Sequence, residues 1–475
     1  MTTHMGRVGI FLLLFFGAVF IQLNVLTVFS SETLVNHPAN QRVILREFGE
    51  ARGPLVVDGD AIVSSVPSDG TFAFLRRYQD GELFAHITGY YSLVVQRSGL
   101  EAAVNDTLRG TPTEVINQNL AALFNPSGRG GNAVELTIDA QVQRAAQAAL
   151  QGREGAIVVV EPTTGAVLAS YANPTFDPAP LAGANITEVN DAWRRLIDNP
   201  VRPLVDRATA ETYPPGSIFK LLVATAALET GSSPTDMFAD VAELTVPGTT
   251  RPINNFPPGP CANGETISLT DAMVGSCNTV FVRLALDLGD SQLRAYAQRF
   301  GFNQRLTYDL PVAASVFPEL ADTPALAQSA LGQRDVRMTA LHAALMAATI
   351  VNDGVMPRAH LIRQVRDPNG RVIPPSAPRR EPTAVMTAQT ARQLDAMLVE
   401  TVRRGTAART QIAEHRVGGK TGTAQTATTP TVWFVGYVDS AAAIAVVLPH
   451  AGDGATGGSD ATPIAREVLR AVINR

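Results

Sequence analysis

The stretch Tyr213-Pro214-Pro215-Gly216-Ser217-Ile218-Phe219-Lys220 leads straight into an apolar run that ends at Glu229. Its two prolines force an extended approach and leave Ser217 at the N-terminus of a helix. Exposed backbone N–H groups and the helix dipole favour negative charge there, on a serine oxygen or on a substrate oxyanion. Lys220 lies three residues on, over the same helical face, within expected reach of the Ser217 hydroxyl. Burial among apolar neighbours disfavours an ammonium, which makes Lys220 a candidate general base for a Ser217 nucleophile. Alone, a serine and a lysine three apart is a weak signal, and Ser217 also reads as a plain N-cap.

Two further motifs strengthen it. Of the 38 lysines and arginines in the chain, only Lys220 and Lys420 are lysine. Arginine carries positive charge as well as lysine does, but it cannot give up its proton near neutral pH. The two lysines therefore mark places of chemistry. Lys420 opens Lys420-Thr421-Gly422-Thr423 behind Gly418-Gly419, and Ser276-Cys277-Asn278 follows Gly275. A second hydroxyl at Ser276, beside a lysine, can relay a proton between base and leaving amine. Asn278 offers a donor and an acceptor to a substrate amide. Gly422 removes a side chain where an extended substrate would lie against a strand edge. Lys420, as a source of positive charge, and the hydroxyls of Thr421 and Thr423 suit a substrate carboxylate.

With the three motifs in this order, the chain resembles the class B penicillin-binding proteins, over essentially its whole length. The resemblance extends to Arg52-Gly53, Gly89-Tyr90-Tyr91-Ser92, Gly99-Leu100-Glu101, the Tyr213-Pro214-Pro215-Gly216 approach and Trp433-Phe434-Val435-Gly436-Tyr437. It implies a membrane-anchored D,D-transpeptidase that cross-links peptidoglycan in cell-wall synthesis and division and is inhibited by covalent β-lactam binding. Ser217 would attack the penultimate D-Ala carbonyl of a stem peptide, and a neighbouring strand's amine would accept the acyl group. Ser217, Lys220, Ser276, Asn278 and Lys420 are then the catalytic set, and Thr421, Gly422 and Thr423 the substrate-binding set. Backbone N–H groups of Ser217 and Thr423 would form the oxyanion hole. The implied partners are stem peptides and β-lactams, a membrane-embedded glycan polymerase, and the division or elongation machinery. No cofactor or metal is implied. One departure is Asp206 in Val205-Asp206-Arg207-Ala208, where relatives often carry asparagine.

The expected fold is mixed α+β, of the serine β-lactamase-like transpeptidase type. Strand-like runs at Gly155–Val160, Ala166–Tyr171, Thr431–Val438 and Ala442–Leu448 bracket a helical middle, with helices expected at Leu221–Glu229, Ser291–Phe300 and Met338–Ile350. This predicts a central antiparallel sheet flanked by helices and assembled from chain-distant pieces. Asp139 is a candidate cap for a helix running through Gln143, Ala146 and Leu150. A small β-rich pedestal of dimerisation type is expected over 31–132, with a glycine-rich linker at Asn125–Asn132, and the transpeptidase domain over 133–475.

The first 30 residues predict a location. Val8 to Phe29 carries no charge and as a helix would span about 33 Å, enough for a bilayer core. A cleaved signal peptide usually has a shorter apolar region. A cytoplasmic tail over 1–7 and a single-pass anchor over 8–30 follow, with the catalytic domain outside the cytoplasm. The net charge of −5 and the lack of a basic run argue against nucleic-acid binding. Cys261 and Cys277 are free to pair in an oxidising compartment, or to remain thiols.

Other functions share these motifs. A serine β-lactamase must also deacylate, commonly through a glutamate, and no Glu-x-x-Leu-Asn lies between Asn278 and Lys420. A D,D-carboxypeptidase differs only in its acceptor. A β-lactam sensor or a non-catalytic division scaffold would need a signalling domain or a lost catalytic group.

Overall fold

A computed structural model describes residues 2–25, 48–70, 72–110, 130–374, 381–426 and 428–475. Its centre is a five-stranded sheet in the order Val417–Ala424, Thr431–Val438, Ala442–Leu448, Gly155–Val160, Val167–Asn173. Every pairing is antiparallel. The C-terminal three-stranded meander thus meets a hairpin from nearly 300 residues earlier along Ala442–Leu448 and Gly155–Val160, as expected of a sheet built from distant pieces. All residues of the three middle strands are buried, which requires cover on both faces. Helix Ala340–Val351 packs on those three strands, and Ala140–Leu150 and Thr462–Ile473 pack on each other and on the sheet. Asp139 caps the second of these helices, its carboxylate accepting the Val142 N–H at 3.0 Å.

The helix expected from Ser291 is present and ends at Arg299; it is the second of two helices within Asn278–Arg299, separated at Gly289, whose φ of 76° and ψ of 169° are non-helical. A glycine adopts those angles without steric penalty, so the chain breaks one helix and starts the next there. The first of the two starts at Asn278, inside the Ser276-Cys277-Asn278 motif.

A second sheet carries the order Val372–Ile373, Ile362–Arg366, Ala133–Leu136, Leu55–Val57, Asp60–Pro67, Phe74–Tyr78. It crosses the expected boundary between pedestal and catalytic domain. Ala133–Leu136 runs parallel to Leu55–Val57 and antiparallel to Ile362–Arg366. The pedestal is also less purely β than expected, with helices Gly81–Thr88, Gly99–Ala103 and Asn105–Arg109. Residues 125–129 of the expected linker lie outside the described residues.

The pedestal motifs converge on one buried cluster. Glu101 is fully buried and accepts from Arg52 Nη2 at 2.9 Å and from Arg76 Nε at 2.7 Å. Arg52 also donates to Asn105 Oδ1 at 2.9 Å and lies 4.1 Å over the Tyr91 ring. Gly89 and Gly99, both at positive φ, pack backbone against backbone, so neither has room for a Cβ. That contact brings the Gly-Tyr-Tyr-Ser and Gly-Leu-Glu stretches together around the charge cluster.

The first helix runs Thr2–Asn24, beginning earlier than the expected anchor, and exposes Ile10, Phe11, Leu13, Phe16 and Phe20. Among the described residues, no helix is long and apolar enough to cross a membrane. Residues 26–30 of the expected anchor lie outside the described residues.

Candidate active site

Ser217 sits in a 3-10 turn, Gly216–Phe219, that feeds helix Lys220–Glu229. The turn is clamped from both sides. Gly216 has φ 56°, and its N–H donates to Gly332 O at 3.0 Å; a Cβ there would come within 2.8 Å of Thr423 O. Gly422 faces the same turn, since a Cβ on it would lie 2.6 Å from Pro215 O and 2.9 Å from Ile218 Cγ1. Its missing side chain therefore lets the nucleophile turn close onto strand Val417–Ala424, a different reason from the substrate contact expected. Buried Trp433 fastens the approach by donating from Nε1 to Pro214 O at 2.9 Å.

Both lysines are fully buried and converge on Ser276. Lys220 Nζ donates to Ser276 O at 2.5 Å and to Asn278 Oδ1 at 2.7 Å, and lies 3.2 Å from Ser276 Oγ. Lys420 Nζ donates to Ser276 Oγ at 2.7 Å and to Thr421 O at 3.1 Å. Among the described residues neither lysine has a carboxylate partner. Burial holds the Lys220 ammonium well below its ordinary lysine range, and the Lys420 charge adds to the effect. Burial alone lowers Lys420 to about 7. Lys420 is thus more than the source of positive charge expected: it is a buried amine that titrates near neutrality and grips the Ser276 hydroxyl.

Ser276 adopts φ 58°, a left-handed conformation that costs a non-glycine residue on the order of 1–2 kcal/mol. It lies on the tight link between helices Leu269–Val274 and Asn278–Arg299. The link is held by Ser276 N–H to Met273 O at 3.1 Å, Cys277 N–H to Ala272 O at 2.8 Å, and a Cys261–Cys277 disulfide with Cα atoms 5.8 Å apart. The bridge ties the middle residue of the motif to the loop 240–264. That loop also fixes Asn278, whose Nδ2 donates to Asn254 O at 2.8 Å. With Oδ1 on Lys220, one N–H of the Asn278 amide remains for a substrate.

Among the described residues, the close group of metal-type donor atoms is Asp240, Cys261 and Cys277. Both sulfurs are spent in the disulfide, and the Asp240 carboxylate accepts the N–H groups of Cys261, Ala262 and Gly264. That donor set does not suit a cation.

Strand Val417–Ala424 forms an edge of the central sheet. Along it, Thr423 Oγ1 accepts the Gly457 N–H at 3.2 Å, and Thr421 Oγ1 donates to Thr406 Oγ1 at 2.7 Å. Thr406, Asn254, Gly332 and Gly457 belong to no motif read from the sequence. Asp206 closes its own turn, accepting Ala208 N–H at 2.9 Å and the Thr209 hydroxyl at 2.5 Å. Its buried neighbour Arg207 binds Glu154 and three carbonyls, which makes the loop a structural brace.

The Ser217 turn packs on an edge strand, and the two buried amines meet at the Ser276 hydroxyl. The hydrogen bonds of Lys220 go to Ser276 and Asn278 and not to Ser217, three residues before it, so the expected link of Lys220 to the Ser217 hydroxyl is not made among the described residues. A buried amine one turn from a serine, beside a second hydroxyl, can still serve as a base and relay a proton to a leaving group.

Residues 155–470 match the penicillin binding protein transpeptidase domain, and residues 52–134 match the penicillin binding protein A dimerisation domain. The chain is 36% identical to the peptidoglycan D,D-transpeptidase PbpA of Mycolicibacterium smegmatis, covering 100% of this chain and 99% of that protein. Identity to PbpA of Mycobacterium tuberculosis is 35%, at the same coverage. The structure of penicillin-binding protein A from M. tuberculosis as a ceftriaxone acyl-enzyme superposes with a TM-score of 0.86 and 34% identity, over 90% of this chain and 100% of that one.

Proposed function

We propose, from the premise that the chain belongs to the class B penicillin-binding proteins of the PbpA type, how its residues carry out the reaction of that family. The protein is a peptidoglycan D,D-transpeptidase that works through a serine acyl-enzyme and is acylated by β-lactams. Ser217 Oγ attacks the penultimate D-Ala carbonyl, and its proton passes to neutral Lys220. Ser276, between the two lysines, returns a proton to the leaving D-Ala nitrogen. The amine of a second stem peptide then attacks the ester and frees Ser217. Backbone N–H groups of Ser217 and Thr423 receive the oxyanion, a reading supported by the closeness of the Gly216 turn to Thr423. Thr421 and Thr423 face the terminal carboxylate of the donor.

The observation that carries this reading is the pair of buried lysines meeting at Ser276 without a carboxylate. An amine held neutral by burial is a base, and no carboxylate partners the site among the described residues to activate a hydrolytic water. The acyl-enzyme formed with a β-lactam is expected to be long-lived. The pedestal over 31–132 holds the catalytic domain away from the membrane, and the uncharged run from Val8 to Phe29, which extends beyond the helix that exposes Ile10, Phe11 and Leu13, anchors the chain there as a single pass. A membrane-embedded glycan polymerase and the division or elongation machinery are the fitting partners. The purified protein is expected to form a stable adduct with labelled penicillin and the Ser217→Ala variant none. Labelling of that variant would remove Ser217 as nucleophile.

A further inference from the structure

We propose that Thr406, outside all three motifs, is a third hydroxyl of the subsite that takes the terminal carboxylate of the acyl donor; the proposal rests on the transpeptidase reading above. Thr406 follows helix Ala388–Arg404 in the turn Gly405-Thr406, and its side chain is exposed. Its backbone is wedged among the active-site elements. The Thr406 N–H donates at 3.2 Å to Val274 O, two residues before Ser276. A Cβ on Gly405 would lie 2.8 Å from Val274 Cγ1, and one on Gly458 would lie 2.7 Å from Thr406 O. The turn is therefore held in place, and with it the hydroxyl that meets Thr421 Oγ1 at 2.7 Å.

Proton counting makes the contact functional. Two hydroxyls sharing one hydrogen bond use one proton and leave the other free to donate. With Thr421 donating, the free proton belongs to exposed Thr406; with the bond reversed, it belongs to Thr421. In either direction the pair presents one outward donor, strengthened by the hydroxyl behind it. Thr423 supplies a second, because its oxygen accepts from Gly457 N–H and keeps its own proton. Lys420 cannot take the anion directly. It is fully buried, and its Nζ is committed to Ser276 Oγ and Thr421 O. A carboxylate at this edge is then held by hydroxyls, with the Lys420 charge behind them.

The test uses the full-length protein and two peptide thioester donors, one with a free terminal carboxylate and one with that group as its methyl ester. Thr406→Val should lower kcat/KM for acylation by the carboxylate donor about tenfold, the size of a lost hydrogen bond to a charged group. Acylation by the ester should barely change. Thr406→Ser should restore the preference for the acid, and both variants should melt close to the wild type. An equal loss on both donors would show a merely structural role, and no loss on either would show none; both outcomes overturn the proposal alone. A wild-type protein acylated by neither donor would instead remove the transpeptidase reading and this proposal with it.

Discussion

The active site and the pedestal both bury basic side chains, and they settle the charge in opposite ways. In the pedestal, Arg52 and Arg76 surround a fully buried Glu101, with Asn105 and the Tyr91 ring taking up further guanidinium surface. Arginine cannot lose its proton, so a buried arginine demands an anion. In the active site, Lys220 and Lys420 are buried just as deeply, and among the described residues they meet neutral oxygens and, for Lys220, the Phe281 ring rather than a carboxylate. A lysine can meet that cost by shedding its proton, and its affinity for protons falls accordingly. The pair of regions teaches what each cation is for: paired charge fixes a shape, and unpaired amine moves protons. This is also why the chain spends its only two lysines here.

The comparison breaks most visibly at Lys220. A Lys220→Met variant keeps the fully buried volume but removes the base, so β-lactam acylation should fall by about a thousandfold or more while the folded fraction by circular dichroism stays high. Normal acylation would mean that Ser217 needs no proton acceptor at this position. The mirror change in the pedestal is Glu101→Gln, which leaves two buried guanidinium groups facing a neutral amide. Denaturant unfolding should show a loss of about 3–5 kcal/mol. Penicillin labelling per folded molecule should be unchanged, since the cluster touches no catalytic residue.

A subtler test concerns pH. Lys420 is held at about 7 in the folded protein against an ordinary 10.5. Between those values the unfolded chain binds a proton that the folded protein does not, so this group makes stability rise with pH across the window. Below about 7 both states are protonated, and the penalty of the buried charge is fully present. Lys420→Met removes the titrating group, and its stability curve from pH 7 to pH 10 should be flatter by up to about 1.4 kcal/mol per pH unit. An unaltered slope would mean that Lys420 keeps its proton when buried.

The three motifs were legible because each joins residue types that chemistry constrains, and one residue from each meets the others at Ser276. Likewise the helix capped by Asp139 and the strands at Thr431–Val438 and Ala442–Leu448 announced themselves through local capping and β-branched runs. What stayed hidden is relational. Gly422 reads as a glycine on a strand, and only its approach to Pro215 O shows what the missing side chain makes room for. Thr406 reads as the end of a helix, since nothing local places it beside Thr421, 15 residues on. The left-handed Ser276 is invisible for a like reason: the helices on either side impose it, against the residue's own preference.

The second sheet also orders assembly in time. Strand Leu55–Val57 pairs with Ala133–Leu136, and among the described residues that strand's other edge is covered by Ile362–Arg366. A chain emerging from its N-terminus has made the pedestal motifs long before the strand that finishes their sheet. Until residue 366 is available, the edge of Ala133–Leu136 stays open to other strands, a state that chains normally keep brief. The pedestal is therefore a fold that the catalytic half completes, and the last steps of its formation coincide with the first of the domain it supports.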